Sequence, residues 1–246
     1  MKSKAFESAK KQAADFRYKY GLASDEPVML HSLLIKLGIV TLFRPLSDDF
    51  SGMAIKSGDN KYLLINSNQS VGRQNFSIAH ELYHLYVQNN FMPKMSKAGA
   101  FNKNDPDEYA ADLFAVVLLM PEEGIYRMLS EKENESREIG LISLFKISGY
   151  FQVSIDATLN RLEELNKISA KHKLDLKQKT KNNVKRLAKE FGGDCSLYEP
   201  GKESMMLADY VPLANQLVEN EIISQVSHLK ALAAVELDPH SLSDEC

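Results

Sequence analysis

The sequence predicts an α+β fold: a small, mostly antiparallel sheet, then helices that carry a cluster of chemically active side chains, then a helical C-terminal appendage. Three observations predict it. Short apolar or β-branched runs between Ile39 and Asn66 are separated by turn residues, the pattern of strands. Two stretches, Asn75 to Val87 and Asp105 to Met120, are apolar over most of a helical surface and read as core helices. Beyond Lys167 the chain becomes basic and then breaks into short helical runs around Gly192-Gly193 and Glu199-Pro200-Gly201.

In order, Lys4 to Tyr20 has helical spacing, with Ala5, Ala9, Ala13 and Phe16 on one stripe. Pro27 can open a second helix through Leu37, and Gly38 is placed to end it. Ile39 to Phe43 is a strand. Ser51 to Lys56 and Tyr62 to Asn66 flank Ser57-Gly58-Asp59-Asn60, a hairpin signal. The edge of such a sheet can hold an extended peptide by strand addition, or the hairpin can be purely structural. Asn89 to Lys103 is polar, contains Pro93 and Gly99, and reads as a loop that moves over a site. Asp105 then caps a helix with Pro106 in its first turn, running to Pro121. Glu122 to Asn134 reads as a charged connector. Ser136 to Tyr150 and Ser154 to Leu165 are two more helices around a tight turn, with the spacing of a DNA-reading pair or of core-closing helices.

The chemistry is concentrated in His80-Glu81-Leu82-Tyr83-His84. Residues four apart share a helix face, so both imidazoles can face one metal ion while Glu81 reaches a water on it. This is the H-E-x-x-H arrangement of zinc peptidases. The competing reading is a core helix with two satisfied histidines, but a carboxylate beside two buried imidazoles is costly unless a cation relieves it. A catalytic zinc needs three protein ligands and this helix supplies two. Glu108 has two competing duties: it completes a capping box with Asp105, or it is the third ligand. Asp112 follows on the same face, placed to orient a ligating histidine through its other ring nitrogen.

Asn66, Phe76-Ser77-Ile78-Ala79-His80-Glu81-Leu82-Tyr83-His84, Glu108-x-x-Ala111-Asp112-x-Phe114-Ala115 and Leu118-Leu119-Met120-Pro121 together resemble the ImmA/IrrE family of metallopeptidases. The likeness continues at Phe151-Gln152-Val153-Ser154 and Arg161-Leu162, and spans roughly Pro27 to Asn166. It implies a zincin-like fold with His80, His84 and Glu108 as zinc ligands and Glu81 as catalytic base. Tyr83 departs from the family, which often has a small residue there; it is expected to narrow the pocket or alter specificity. The resemblance also implies a protein substrate, a helix-turn-helix repressor of a mobile element or stress response.

The chain of 246 residues suits one large domain with an appendage, divided here as 1–166, a basic linker or helix at 167–201, and a small helical unit at 202–246. A net charge of −3 argues against a protein devoted to coating nucleic acid. Lys167 to Lys189 holds nine Lys or Arg against the single acid Asp175, but without interleaved aromatics for base stacking, so nucleic acid is not favoured. Pro212 to Val218 and Ser224 to Val235 read as a final helix pair, similar to a short C-terminal unit in some family members. Cys195 and Cys246 suggest neither disulfides nor a cysteine-rich zinc site. No stretch approaches the roughly 20 apolar residues of a membrane span, and a cytoplasmic location is expected.

The leading expectation is a zinc-dependent, site-specific endopeptidase. The alternative is a non-catalytic regulatory module whose structural metal supports binding to DNA or a repressor. A structural zinc needs a fourth protein ligand, and the sequence offers no evident one. An oxyanion donor is also unassigned; His172, His228 and the tyrosines qualify by residue type alone.

Overall fold

The first helix, α1 (Lys4–Lys19), buries Phe6, Ala9, Ala13 and Phe16. Phe6 takes the place expected for Ala5, which is exposed, because the larger ring claims the core-facing position. The computed structural model describes residues 4–201, 205–207, 215 and 217–234. A second helix, α2 (Leu30–Lys36), starts three residues after Pro27 and ends where Gly38 turns back with φ of 63°.

Four strands follow: β1 (Ile39–Arg44), β2 (Gly52–Ser57), β3 (Asn60–Asn66) and the late β4 (Met205–Leu207), in the spatial order β2-β3-β1-β4. β2 and β3 form the antiparallel hairpin, with Gly58 at φ 59° in its two-residue turn, where a positive φ is required. β1 runs parallel to β3, Ile39 opposite Lys61, and antiparallel to β4, Phe43 opposite Met205. Two of the three pairings are antiparallel, as expected of a small, mostly antiparallel sheet. One face is dry: Ile39, Thr41 and Phe43 alternate inward from β1, and Leu63 and Ile65 from β3.

Against that sheet lies α3 (Val71–Tyr86), and against α3 lies α4 (Pro106–Leu119), which also packs on α1. Phe16 sits edge-on to Phe114 at 5.7 Å and to Tyr86 at 5.9 Å, joining the three helices. Both ends of α4 are fixed. Asp105 caps its start, accepting the Glu108 N–H at 3.4 Å. At its finish, where carbonyls lack helical partners, buried Arg17 donates to Leu118 O at 3.1 Å and buried Arg161 to Met120 O at 3.0 Å. Burial pulls the Arg17 guanidinium down to about 10 against the pull of Asp25, so it remains charged at neutral pH.

The segment expected to be a charged connector contains two short helices, α5 (Glu122–Met128) and α6 (Glu131–Ser136). Ser130 and Glu133 form a full capping box for α6, and α5 buries Gly124 and Ile125. Gly124 is required: a Cβ there would meet Asp25 O at 2.2 Å. Next, α7 (Leu141–Phe151) and α8 (Ile155–Glu164) close the core through Phe151, Leu159 and Leu162.

The basic segment folds as α9 (Ala170–Thr180) and α10 (Val184–Glu190), whose Leu176, Leu187 and Ala188 join the same hydrophobic cluster as the sheet and α3. Five of its cations are ion-paired, among them Lys177 to Asp156 at 2.8 Å and Lys185 to Glu199 at 2.9 Å. A short 3-10 turn, Cys195–Tyr198, leads to Glu199, whose carbonyl accepts the Val71 N–H at the start of α3 (2.9 Å). A helix at Gln225–Ala234 falls within the second of the expected C-terminal helices; most of the first, Pro212 to Val218, lies outside the described residues. Among the described residues, no helix is long and apolar enough to cross a membrane.

Asn66, at the end of β3, is fully buried and makes four hydrogen bonds: its oxygen accepts the Leu46 and Asn68 N–H groups, and its amide donates to Ser47 O and Phe50 O. It ties down the 44–51 connection that delivers the chain to β2. Asn66→Ala is expected to lower the unfolding free energy by about 3 kcal/mol, since two backbone carbonyls and two backbone N–H groups lose partners at once. Urea denaturation checks this; a loss below about 1 kcal/mol would remove the role.

Candidate metal centre

Helix α3 is buried almost all round, and His80 (0% exposed), Glu81 (1%) and His84 (7%) lie within it. The Nε2 atoms of His80 and His84 are 3.1 Å apart. Glu108, from the first turn of α4, turns its carboxylate toward both: Oε2 is 3.3 Å from His80 Nε2 and Oε1 is 3.5 Å from His84 Nε2. One ligand atom from each of the three lies within 4.8 Å of the others, a spacing that fits one ion. Of the two duties open to Glu108, the capping box is not completed, because the Asp105 N–H goes to Asn102 O instead (3.1 Å).

Hydrogen bonds behind the rings decide which nitrogens carry protons. Asp112 Oδ1 is 2.8 Å from His80 Nδ1, and an ionised carboxylate only accepts, so His80 carries its proton on Nδ1. Gln88 Oε1 is 2.8 Å from His84 Nδ1, while the Gln88 amide donates to Asp107 Oδ2 at 3.0 Å. That second bond fixes the amide, so Gln88 accepts from His84 Nδ1–H. With an Nδ1–H bonded behind each ring, both Nε2 atoms are left facing the same spot beside a carboxylate, free to take either a proton or a metal ion. Buried lone pairs converging this way repel unless a cation or a proton lies between them. The donor set fits a divalent ion such as zinc, with each histidine oriented from behind.

The titration behaviour points the same way. Burial works against a charge on His80, but the bonds to Asp112 and Glu108 and the nearby Glu81 outweigh it and raise its pKa to about 10. Burial and the His80 charge push His84 down. Glu108 is pulled down on balance, its partial burial being outweighed by the two histidines. Glu81 is raised to about 7, chiefly by burial, with His80 and Ser96 opposing.

The centre opens into a cavity of about 350 Å³ lined by Glu81, His84 and Glu108, by Ala54 of β2, and by Phe91 and Met92 of the following loop. Glu81 Oε1 accepts from the Ser96 hydroxyl, and the carboxylate also takes the Ala54 N–H. Asp112 has further work: Oδ1 accepts the Gly99 N–H and Oδ2 the Phe101 N–H, each at 2.7 Å. The loop from Asn89 to Lys103 is thus pinned at several points. Tyr83 packs against the His84 ring and Phe114 in the core and does not line the cavity. His172 bonds to Ile139 O and His228 to Asn215 Oδ1, so neither faces the centre.

Sequence reasoning missed Gln88, Asp107, Ser96 and Gly52. Gln88 had a signal, since it stands four residues after His84, just past the end of α3. Ser96 had none, because its role depends on a loop folding back against β2.

The model of the family Peptidase_M78, the IrrE N-terminal-like domain, matches residues 35–163. That span covers more than half the chain and contains the whole cluster. The chain belongs to this family. It is thus of metallopeptidase type, in agreement with the resemblance seen in the sequence. Comparison with curated proteins yields no match.

Two measurements probe the centre. Titrating zinc into chelator-stripped protein at pH 8 is expected to release about one proton per ion. His80, with its pKa near 10, holds a proton there that a ligand must give up, whereas Glu81, near 7, has already lost its own. Calorimetry in buffers of different ionisation enthalpy reads the number; zero would show that His80 is already neutral before the ion binds. Asp112→Asn is expected to weaken zinc binding by roughly 10–100-fold, measured by chelator competition.

Proposed function

We propose that this chain is a zinc-dependent endopeptidase that cleaves a protein substrate at a specific site. One observation carries the reading: two imidazoles with their Nε2 lone pairs aimed at one point, completed by Glu108, lie beside the carboxylate of Glu81 in an open cavity. His80, His84 and Glu108 would hold the ion. When bound, zinc polarises a carbonyl and makes a nucleophilic water available near neutral pH. Glu81 then serves as the proton carrier. It takes the proton of the water as the oxygen bonds to the peptide carbon, and delivers it to the nitrogen as the C–N bond breaks. Its burial suits that task, since burial raises a carboxyl above the ordinary carboxylate range and so toward neutral pH.

Strand β2 lies at the sheet edge, and its Ala54 lines the cavity, so an extended segment laid along that edge passes the centre. The family resemblance supports a helix-turn-helix repressor as the substrate, with the protein acting as an anti-repressor. The binding-module alternative fares worse. Among the described residues the ligand cluster has three members, which suits an ion with one position left for water. Many cations of α9 and α10 are already paired with acids, and α8 carries Asp156, Glu163 and Glu164, a poor complement to phosphate.

The test is a survey of new protein N-termini in host cells expressing wild type or Glu81→Gln. One or a few termini unique to wild type are expected and would name the substrate. Purified Glu81→Gln should keep its metal, whereas His84→Ala should lose both metal and cleavage. Equal cleavage by Glu81→Gln would overturn the mechanism.

A further inference from the structure

The loop after α3 is mostly exposed: Met92 is 77% accessible and Met95 69%. Ser96, between them and Gly99, is 2% accessible. Its backbone is docked on the edge of β2, the N–H donating to Gly52 O at 2.9 Å and the carbonyl accepting the Ser51 N–H at 3.0 Å. Its hydroxyl points inward, against Glu81 Oε1 and 3.0 Å from Gly52 O. A hydroxyl has one proton, and the charged oxygen is the stronger acceptor, so the donation goes to Glu81.

Glu81 is thereby held on three sides. Ser96 and the Ala54 N–H donate to it, and the bare Cα of Gly52 lets it lie flat on β2; a Cβ at Gly52 would stand 3.2 Å from both Glu81 Cγ and Oε1. Two of these three contacts belong to the sheet. The third comes from a loop. That loop is tied further along to the supports of the centre: Lys94 pairs with Asp105, the cap of the helix carrying Glu108, and Gly99 and Phe101 donate to Asp112, the partner of His80.

We propose that Ser96 is the positioning residue of Glu81, so that the carboxylate is aimed at the centre only while the loop around Ser96 is docked on β2. The proposal rests on the peptidase reading for its catalytic consequence, but the coupling between loop and carboxylate does not. A serine that served only to bridge the loop to β2 would do so through its backbone, and its hydroxyl would be dispensable. Here the hydroxyl is the group that reaches the carboxylate.

The test uses the full-length, zinc-loaded protein and the variants Ser96→Ala, Ser96→Thr and Glu81→Ala. Hydrogen exchange of the amides of residues 94–101 is the first readout. Removing either end of the contact is expected to speed their exchange about tenfold or more, while amides of β1 and β3 stay at the wild-type rate. Ser96→Thr, which keeps the hydroxyl, should restore protection. Rates within twofold of wild type in both Ser96→Ala and Glu81→Ala would overturn the coupling. The second readout uses the substrate named by the terminus survey: Ser96→Ala is expected to lose about tenfold or more in kcat with KM within twofold and full metal content, and Ser96→Thr to recover it. Wild-type kcat in Ser96→Ala would overturn the positioning role. If the survey finds no substrate, the exchange result still decides the coupling, so failure of the peptidase reading and failure of this proposal are separable.

Discussion

Two imidazole nitrogens held 3.1 Å apart with their lone pairs converging form the constraint around which this molecule is arranged. With no proton or ion between them they would rotate apart, since neither lone pair gains from facing the other. Rotation is blocked from behind, by Asp112 on one ring and by Gln88, itself held by Asp107, on the other. The repulsion is therefore built in and can be relieved only by positive charge between the rings. This is the physical content of a preorganised cation site: the energy spent in folding to bring the donors together is returned when an ion arrives.

Asp112, Glu108 and the Asp107 that holds Gln88 all sit on α4, so the geometry depends on where that helix is clamped. Its cap at Asp105 fixes the first turn, which carries Asp107 and Glu108, and Asp112 lies little more than a turn further on. Its last carbonyls are held by Arg17 from α1 and Arg161 from α8. A cation near a helix C-terminus is favourable, and a buried guanidinium bonded to carbonyls also locks the helix against sliding along its axis. Elements far apart in the chain thus fix the position of Glu108 relative to α3, which explains why a site of a few side chains needs so much chain around it.

Much of this was legible in the sequence. The helix of His80 and His84, the capped helix after Asp105 and the hairpin around Gly58 each carry local signals that the structure repeats. The failures have physical causes. Ala5 lost its core position to Phe6 because periodicity identifies a face but not which neighbour is large enough to fill it. Residues 122–134 hid two helices because each is less than two turns long, too short for a repeat to show. The basic segment read as a linker or helix because its few apolar residues, Leu176, Leu187 and Ala188, are outnumbered by lysines, some of whose acidic partners are remote in sequence. Ser96 was invisible for the same reason: nothing local marks a loop residue that will meet a carboxylate fifteen positions earlier.

The late strand β4 has a consequence for how the molecule behaves in a crowded solution. A four-stranded sheet has two borders, and an unpaired border invites another chain to join it. Residues Met205–Leu207 cover the outer side of β1 and replace a longer border with one only three residues long. The border of β2, beside the cavity, is met by the loop where Ser96 docks on Gly52. A chain trimmed to the family-matched span would lose this cover and expose the backbone of Thr41 to Phe43, inviting copies to zip together edge to edge. Three residues that follow the family-matched span thus occupy a border that would otherwise be open to pairing with another chain.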